Sequence, residues 1–338
     1  MSYYLGLAAN TVNGSRNGAR SGAQTLCLLA APLTALVLRA LRDGPKQQSE
    51  LRREAGSPAQ TTLRAQFKRL VEIGALEKHR RNRFPGVLEY ELTETGRELL
   101  FVADVLERWL QLAPDGPLPL GSGPAKAAVK ALAEGWSTTI LRVLGAVPQS
   151  LTELDGAIAD LNYPTLERRL AALRLTSLVK AQPGNGAGTP YAVTDWLRRG
   201  IGPIAAAARW ERRHLPQAAP PIAQLDAEAA FLLAVPLLRP PKGVLGSCRL
   251  AAEIPNGRKR NFAGVVVEVL SDGRTEPRGT QLDRYSDAWA LGSSSAWLNA
   301  IIEHEVDRLE LGGDSRLARI LVEGLHDALF RPTDGHRP

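Results

Sequence analysis

The chain has 338 residues, 44% of them hydrophobic, a formal net charge of +7 and two widely separated cysteines, Cys27 and Cys248. That length holds two or three domains at roughly 100–150 residues each. No apolar run reaches the ~20 residues that span a bilayer, which argues against membrane insertion. The cysteines lack metal-ligand spacing and are expected to be packing residues of a reducing, cytoplasmic setting.

The charge is unevenly placed. The first 216 residues hold 28 Lys and Arg against 19 Asp and Glu, a balance of +9, whereas Gln217 onward holds 14 against 16, a balance of −2. A basic excess in the front part is the electrostatic footprint of a polyanion binder.

Met1 to Gly22 lacks the charged start and apolar centre of a secretory signal. It is rich in Gly, Asn and Ser and reads as a flexible tail. Leu36, Val37, Leu38 and Leu41 then form an apolar helix pattern that closes at Asp43-Gly44-Pro45. A short helix is predicted from Gln48 to Ala55. A third, from about Ala59 to Ile73, carries Leu63, Phe67 and Leu70 on one face and has Gly74 as its C-cap. A strand from Leu76 leads into a basic loop with Lys78, His79, Arg80, Arg81 and Arg83, and the alternating run Leu88 to Thr93 returns. Three helices and a cationic hairpin predict a winged helix-turn-helix, which lays its third helix in the major groove of double-stranded DNA. On that helix Gln60, Thr61, Thr62 and Arg64 are placed to meet base edges, with Arg64 suited to guanine and Gln60 to adenine. Lys68 and Arg69 are better placed for phosphates.

These residues carry a resemblance. Leu38-Arg39-Ala40-Leu41-Arg42-Asp43-Gly44-Pro45, Glu50-Leu51, Leu63 to Gly74, and Pro85 followed by Glu89-Tyr90-Glu91-Leu92-Thr93-Glu94-Thr95-Gly96 resemble the HxlR family of bacterial winged-helix transcription regulators. The likeness covers roughly residues 24 to 111 and departs at Gln60-Thr61-Thr62, so it does not say which bases are read. It implies dimerisation through terminal helices.

The pattern recurs. Arg39 and Arg142, Pro45 and Pro148, Glu50 and Glu153, Leu63 and Leu166, and Leu70 and Leu173 all differ by 103. Past the hairpin the offset becomes 101, pairing Tyr90 with Tyr191, Thr93 with Thr194 and Trp109 with Trp210. A constant offset that changes once, at a loop, predicts a duplicated domain with a shortened wing. The expected domains are a winged helix at 23–112, a linker at 113–123, a degenerate winged helix at 124–215 and a second linker at 216–224. The second wing, Gln182 to Gly188, carries no charge, so this copy is expected either to bind DNA weakly, through Thr165, Arg168, Arg169 and Lys180, or to act as a fixed partner. The family resemblance implies that the terminal helices Leu99 to Leu112 and Ile201 to Leu215, each with a tryptophan, pair as an intramolecular pseudo-dimer or a homodimer. A pseudo-dimer would present two recognition helices about 34 Å apart.

Beyond Pro221 a helix is predicted at Ala227 to Leu233, and strands at Leu245 to Ile254, Phe262 to Leu270, Gly279 to Tyr285 and Ala288 to Leu291. A helix from Ser293, a Leu309-Glu310-Leu311-Gly312-Gly313-Asp314 turn and a closing helix Ser315 to Phe330 follow. Strand pairs followed by helices make an α+β domain. Ser293 to Phe330 resembles the sterol-carrier-protein-like fold, and the likeness extends over roughly 225–331. That resemblance implies an apolar cavity for a hydrophobic small-molecule effector, lined by Phe231, Trp289, Trp297, Ile301 and Leu325; the alternative is a filled core. His304 and His326 lack metal-ligand spacing in the sequence, and no catalytic motif or cofactor signature is found.

The fold expected is therefore α+β: two tandem winged helices and a sterol-carrier-like domain. The function expected is that of a non-enzymatic cytoplasmic, nucleoid-associated transcription regulator. Its alternative is a protein that sequesters a hydrophobic metabolite and uses the winged helices as scaffold or non-specific DNA anchor.

Overall fold

The computed structural model describes residues 20–80, 88–133, 138–158, 161–184, 188–256 and 259–331. The chain divides into one unit of Ser21–Leu144 with Pro148–Ala219 and another built chiefly from Pro220 onward. Among the described residues no single helix is long and apolar enough to cross a membrane.

The first unit opens with α1 (Ala23–Leu29), α2 (Pro32–Ala40), β1 (Lys46–Gln47), α3 (Gln48–Glu54), α4 (Gln60–Glu72), β2 (Leu76–Arg80), β3 (Leu88–Leu92) and α5 (Glu94–Gln111). The strands form an antiparallel sheet in the order β1-β3-β2. Pro32 starts α2 at a position where its missing N–H costs nothing. Glu50 accepts from the Gln47 N–H at 2.8 Å and caps α3. Gly74, at φ 74°, ends α4 in the left-handed region. Leu38, Leu51, Leu63, Phe67 and Leu70 fill the core at 1% exposure or less.

Two features depart from expectation. α5 begins at Glu94 rather than Leu99, because Thr93 caps it by accepting from the Gly96 N–H at 3.0 Å. α1 was not anticipated, because what holds it lies far along the chain. The buried carboxylate of Glu211 accepts from the Gly22 N–H at 2.6 Å, the Thr25 N–H at 3.0 Å and the Thr25 hydroxyl at 2.9 Å. Cys27 on this helix is exposed, which corrects its reading as a packing residue; Cys248 is buried.

The rest of the unit is α6 (Gly123–Ala133), α7 (Thr138–Ala146), α8 (Leu151–Ala157), α9 (Tyr163–Leu175), β4 (Val179–Ala181), β5 (Tyr191–Val193), α10 (Asp195–Arg199) and α11 (Ile201–His214). Its local bonds match those of the first segment. Glu153 accepts from the Ser150 N–H at 2.7 Å, 103 residues beyond the Glu50–Gln47 bond. Asn162 caps α9 by accepting from the Thr165 N–H. α9 has 13 residues, as α4 has. The Thr93 hydroxyl donates to the Gly74 carbonyl, and the Thr194 hydroxyl donates to that of Ser177. Lys46 pairs with Tyr90 and Gln149 with Tyr191. The single helix α5 is matched by a broken pair, α10 and α11, which part at Gly200. A Cβ at Gly200 would lie 2.9 Å from Leu132 Cδ1.

The unit beyond Pro220 contains α12 (Gln224–Ala234), β6 (Gly246–Asn256), β7 (Lys259–Val269), β8 (Thr275–Gly279), β9 (Ala288–Ser293), α13 (Ser294–Glu303), β10 (Glu310–Gly313) and α14 (Ser315–Phe330). The sheet order is β10-β9-β6-β7-β8, antiparallel except for the β6–β9 pair. The strand expected at Gly279 to Tyr285 instead lies earlier, at Thr275–Gly279. Pro277 hid it, since proline is tolerated on an edge strand. The expected Leu309–Asp314 turn is the edge strand β10, which pairs with β9. Ser293 and Asp314 cap α13 and α14.

Candidate nucleic-acid interface

α4 presents one apolar and one polar face. Leu63, Phe67 and Leu70 are buried, whereas Gln60, Thr61, Thr62, Arg64, Lys68 and Arg69 are all exposed. Two contacts fix its position. The Phe67 and Tyr90 rings stack at 4.4 Å, joining the helix to β3, and Gln66 Nε2 donates to the Thr34 hydroxyl at 2.8 Å, joining it to α2. Burial pushes the Tyr90 phenol above its ordinary pKa, and the Arg64 charge works against that shift.

Arg64 and Arg69 form no ion pair among the described residues, and Lys68 meets Glu72 only at 3.8 Å. Lys78 and Arg80 are exposed on β2. They therefore stand on the strand rather than in the expected loop. Arg81 and Arg83 lie outside the described residues. Carboxylates also stand on this hairpin, since His79 Nε2 is 3.1 Å from Glu77 and 3.6 Å from Glu91. Arg39 and Arg42, by contrast, turn back to α5 and pair with Glu107 and Asp104.

The matched helix α9 carries different chemistry. α4 and α9 are equal in length, and at the offset of 103 Tyr163 aligns with Gln60, Thr165 with Thr62, Glu167 with Arg64, and Ala171 and Ala172 with Lys68 and Arg69. Arg168 is exposed, but Arg169 holds the register of the α2-facing Gln66 and is half-buried. Thr165 is half-buried, and Lys180 is exposed on β4. Tyr163, 45% exposed at the head of α9, was not among the expected contact residues.

Of the ligand residues expected in the C-terminal unit, Trp289 stands apart from the rest. Phe231, Trp297 and Leu325 are buried, with the Phe231 and Trp297 rings edge to face at 4.9 Å and Trp297 Nε1 donating to the Ala251 carbonyl. Ile301 is half-buried. Trp289 alternates along β9 with the buried Ala288 and Ala290 and so projects from the opposite sheet face, over Gly312.

The helices, short sheet and hairpin of residues 23–111 define a winged helix-turn-helix protein. Comparison with known proteins agrees: the model of the HxlR-like helix-turn-helix family matches residues 28–115. YtcD of Bacillus subtilis, an uncharacterized HTH-type transcriptional regulator, is 33% identical over 85 residues, which are 25% of this chain and 68% of that protein. The uncharacterized HTH-type transcriptional regulators Rv3095 of Mycobacterium tuberculosis and Mb3122 of Mycobacterium bovis are each 34% identical over 101 residues, 30% of this chain. The chain spans 61% of the length of these two mycobacterial relatives. It belongs to the HxlR-like helix-turn-helix family.

Proposed function

We propose that the protein is a DNA-binding transcription regulator that docks α4 in the major groove and sets the β2–β3 wing on the adjacent backbone. The observation that carries this reading is the exposed cationic face of α4, held rigidly by the Phe67–Tyr90 stack beside Lys78 and Arg80. Gln60, Thr61, Thr62 and Arg64 would meet base edges, with Lys68, Arg69, Lys78, Arg80, Arg81 and Arg83 on phosphates. Residues 124–215 act as a degenerate second winged helix, and the two copies close as a pseudo-dimer within one chain. The matched bonds and the packing of α5 on α11 and α1 on α6 support this. With Glu167 in the place of Arg64, the second copy steadies the first more than it reads DNA, leaving Thr165, Arg168, Arg169 and Lys180 a minor share. The operator would be an unequal inverted repeat.

A sterol-carrier-like role for residues 225–331 belongs to the same proposal. A hydrophobic effector there would have to part the Phe231–Trp297 contact, and that opening would couple occupancy to conformation. Fluorescence anisotropy against the chain's own upstream DNA tests the central reading. Arg64→Ala should cost about 1–3 kcal/mol and relax sequence preference. Equal binding by wild type and Arg64→Ala to every duplex would overturn it.

A further inference from the structure

His304 and His326 are 22 residues apart in the sequence and carry no metal motif, yet the fold brings them together. Their rings meet edge to face at 4.6 Å between centroids. One nitrogen from each and a carboxylate oxygen of Asp327 lie within 4.8 Å of one another. We propose that His304, His326 and Asp327 form a site for a divalent transition metal of the zinc class, joining the end of α13 to α14.

Two features fit the site to that role, and a third sets what the cation must displace. His326 Nδ1 donates to the Ile301 carbonyl at 2.8 Å, which places a proton on Nδ1 and leaves Nε2 as the nitrogen that can ligate a metal. Such a backbone bond is what commonly orients a metal-binding imidazole. His304 caps α13 in the left-handed region, at φ 64° and ψ 21°, where a glycine would be unstrained. That backbone carries its ring to α14. Asp327 is held by Arg331 at 2.8 Å, so an arriving cation competes with one guanidinium for the carboxylate. Two imidazoles and a carboxylate suit Zn²⁺ or Ni²⁺ rather than Mg²⁺ or Ca²⁺, and three protein ligands leave a position for water.

The inference does not depend on DNA binding. Chelator-stripped full-length protein is titrated with Zn²⁺ alone in a calorimeter, and melting is followed with and without the ion. Wild type should bind one equivalent at micromolar concentration and melt higher with zinc. His304→Gly and Asp327→Asn should each weaken binding about tenfold or more, while His79→Gln on the wing leaves it unchanged. His304→Gly should melt no lower than wild type in the absence of zinc, since it removes the left-handed strain, so its lost binding cannot be blamed on misfolding. Failure of wild type to bind, unchanged binding in His304→Gly and Asp327→Asn, or loss only in His79→Gln would each overturn the proposal.

Discussion

Trp109 and Trp210 donate the same hydrogen bond in opposite directions. Trp109 Nε1 donates to the carbonyl of Trp196 at 2.8 Å, and Trp210 Nε1 to the carbonyl of Thr95 at 3.0 Å. Both the donors and the acceptors are related by the offset of 101, so the two bonds are reciprocal under that offset. Trp196 adds a term that Thr95 cannot match, stacking on Trp109 at 4.6 Å and donating back to the Trp109 carbonyl.

That exchange predicts matched losses. Trp109→Phe and Trp210→Phe should each cost about 1 kcal/mol in urea unfolding, the usual net worth of one intramolecular hydrogen bond. Trp109→Ala should cost about 3–5 kcal/mol, because the stack goes with it. A Trp210→Phe change with no effect would show that the reciprocal bond is idle.

The contrast between α4 and α9 gives a gain as well as a loss. Lys78→Ala and Arg80→Ala should each flatten the slope of log affinity against log salt by about 0.9, the signature of one lost phosphate contact. Lys180→Ala should move it less. Glu167→Arg places on α9 a charge like that of Arg64 on α4, so on the proposed reading duplex affinity at low salt should rise. Anisotropy titrations at four salt concentrations would separate these outcomes.

The cysteines differ in reactivity for a physical reason. Burial, with the Asp314 charge adding to it, pushes the Cys248 thiol up to about 12, so almost none is thiolate at neutral pH. Cys27 is exposed on α1. Mass spectrometry after a short maleimide pulse at pH 7.5 should find one label, on Cys27, and a second only after denaturation.

α4 was legible because its signals are local: Leu63, Phe67 and Leu70 set the period, and Gly74 marks the end. α14 was legible to the residue, with Asp314 before it and an apolar stripe along it. What escaped depends on distant partners. α1 is held by Glu211, nearly two hundred residues away. The strand at Thr275 contains a proline that only its edge position excuses. Trp289 looked like a cavity residue because its face is decided by β-pairing register, which composition does not reveal. His304 and His326 meet only because α13 packs on α14.

Asp287 should make the C-terminal unit acid-sensitive. Its Oδ2 accepts from the Ser247 N–H and hydroxyl, both at 2.8 Å, and these bonds hold the carboxyl below its ordinary pKa. A depressed folded value means that the unfolded chain takes up the proton more readily. The contribution is therefore present above the unfolded value, near 3.8, and is lost as pH falls through the folded one. Urea midpoints measured from pH 6 down to pH 2.5 should fall less steeply for Asp287→Asn than for wild type.

Gly312 and Trp289 supply a sharper test of the sheet. The register pairs them across β9 and β10, and a Cβ at Gly312 would stand 2.1 Å from Trp289 Cζ2. A tryptophan ring cannot yield there as the tip of a lysine would. Either the indole leaves its rotamer or the edge strand moves. Gly312→Ala should therefore destabilise the C-terminal unit by about 1–3 kcal/mol, the usual cost of overpacking. The double change Gly312→Ala with Trp289→Ala should recover part of that loss, because the obstructing ring is gone. Thermal melts of the two single variants and the double variant measure the coupling. Strict additivity would mean that the ring does not lie across Gly312.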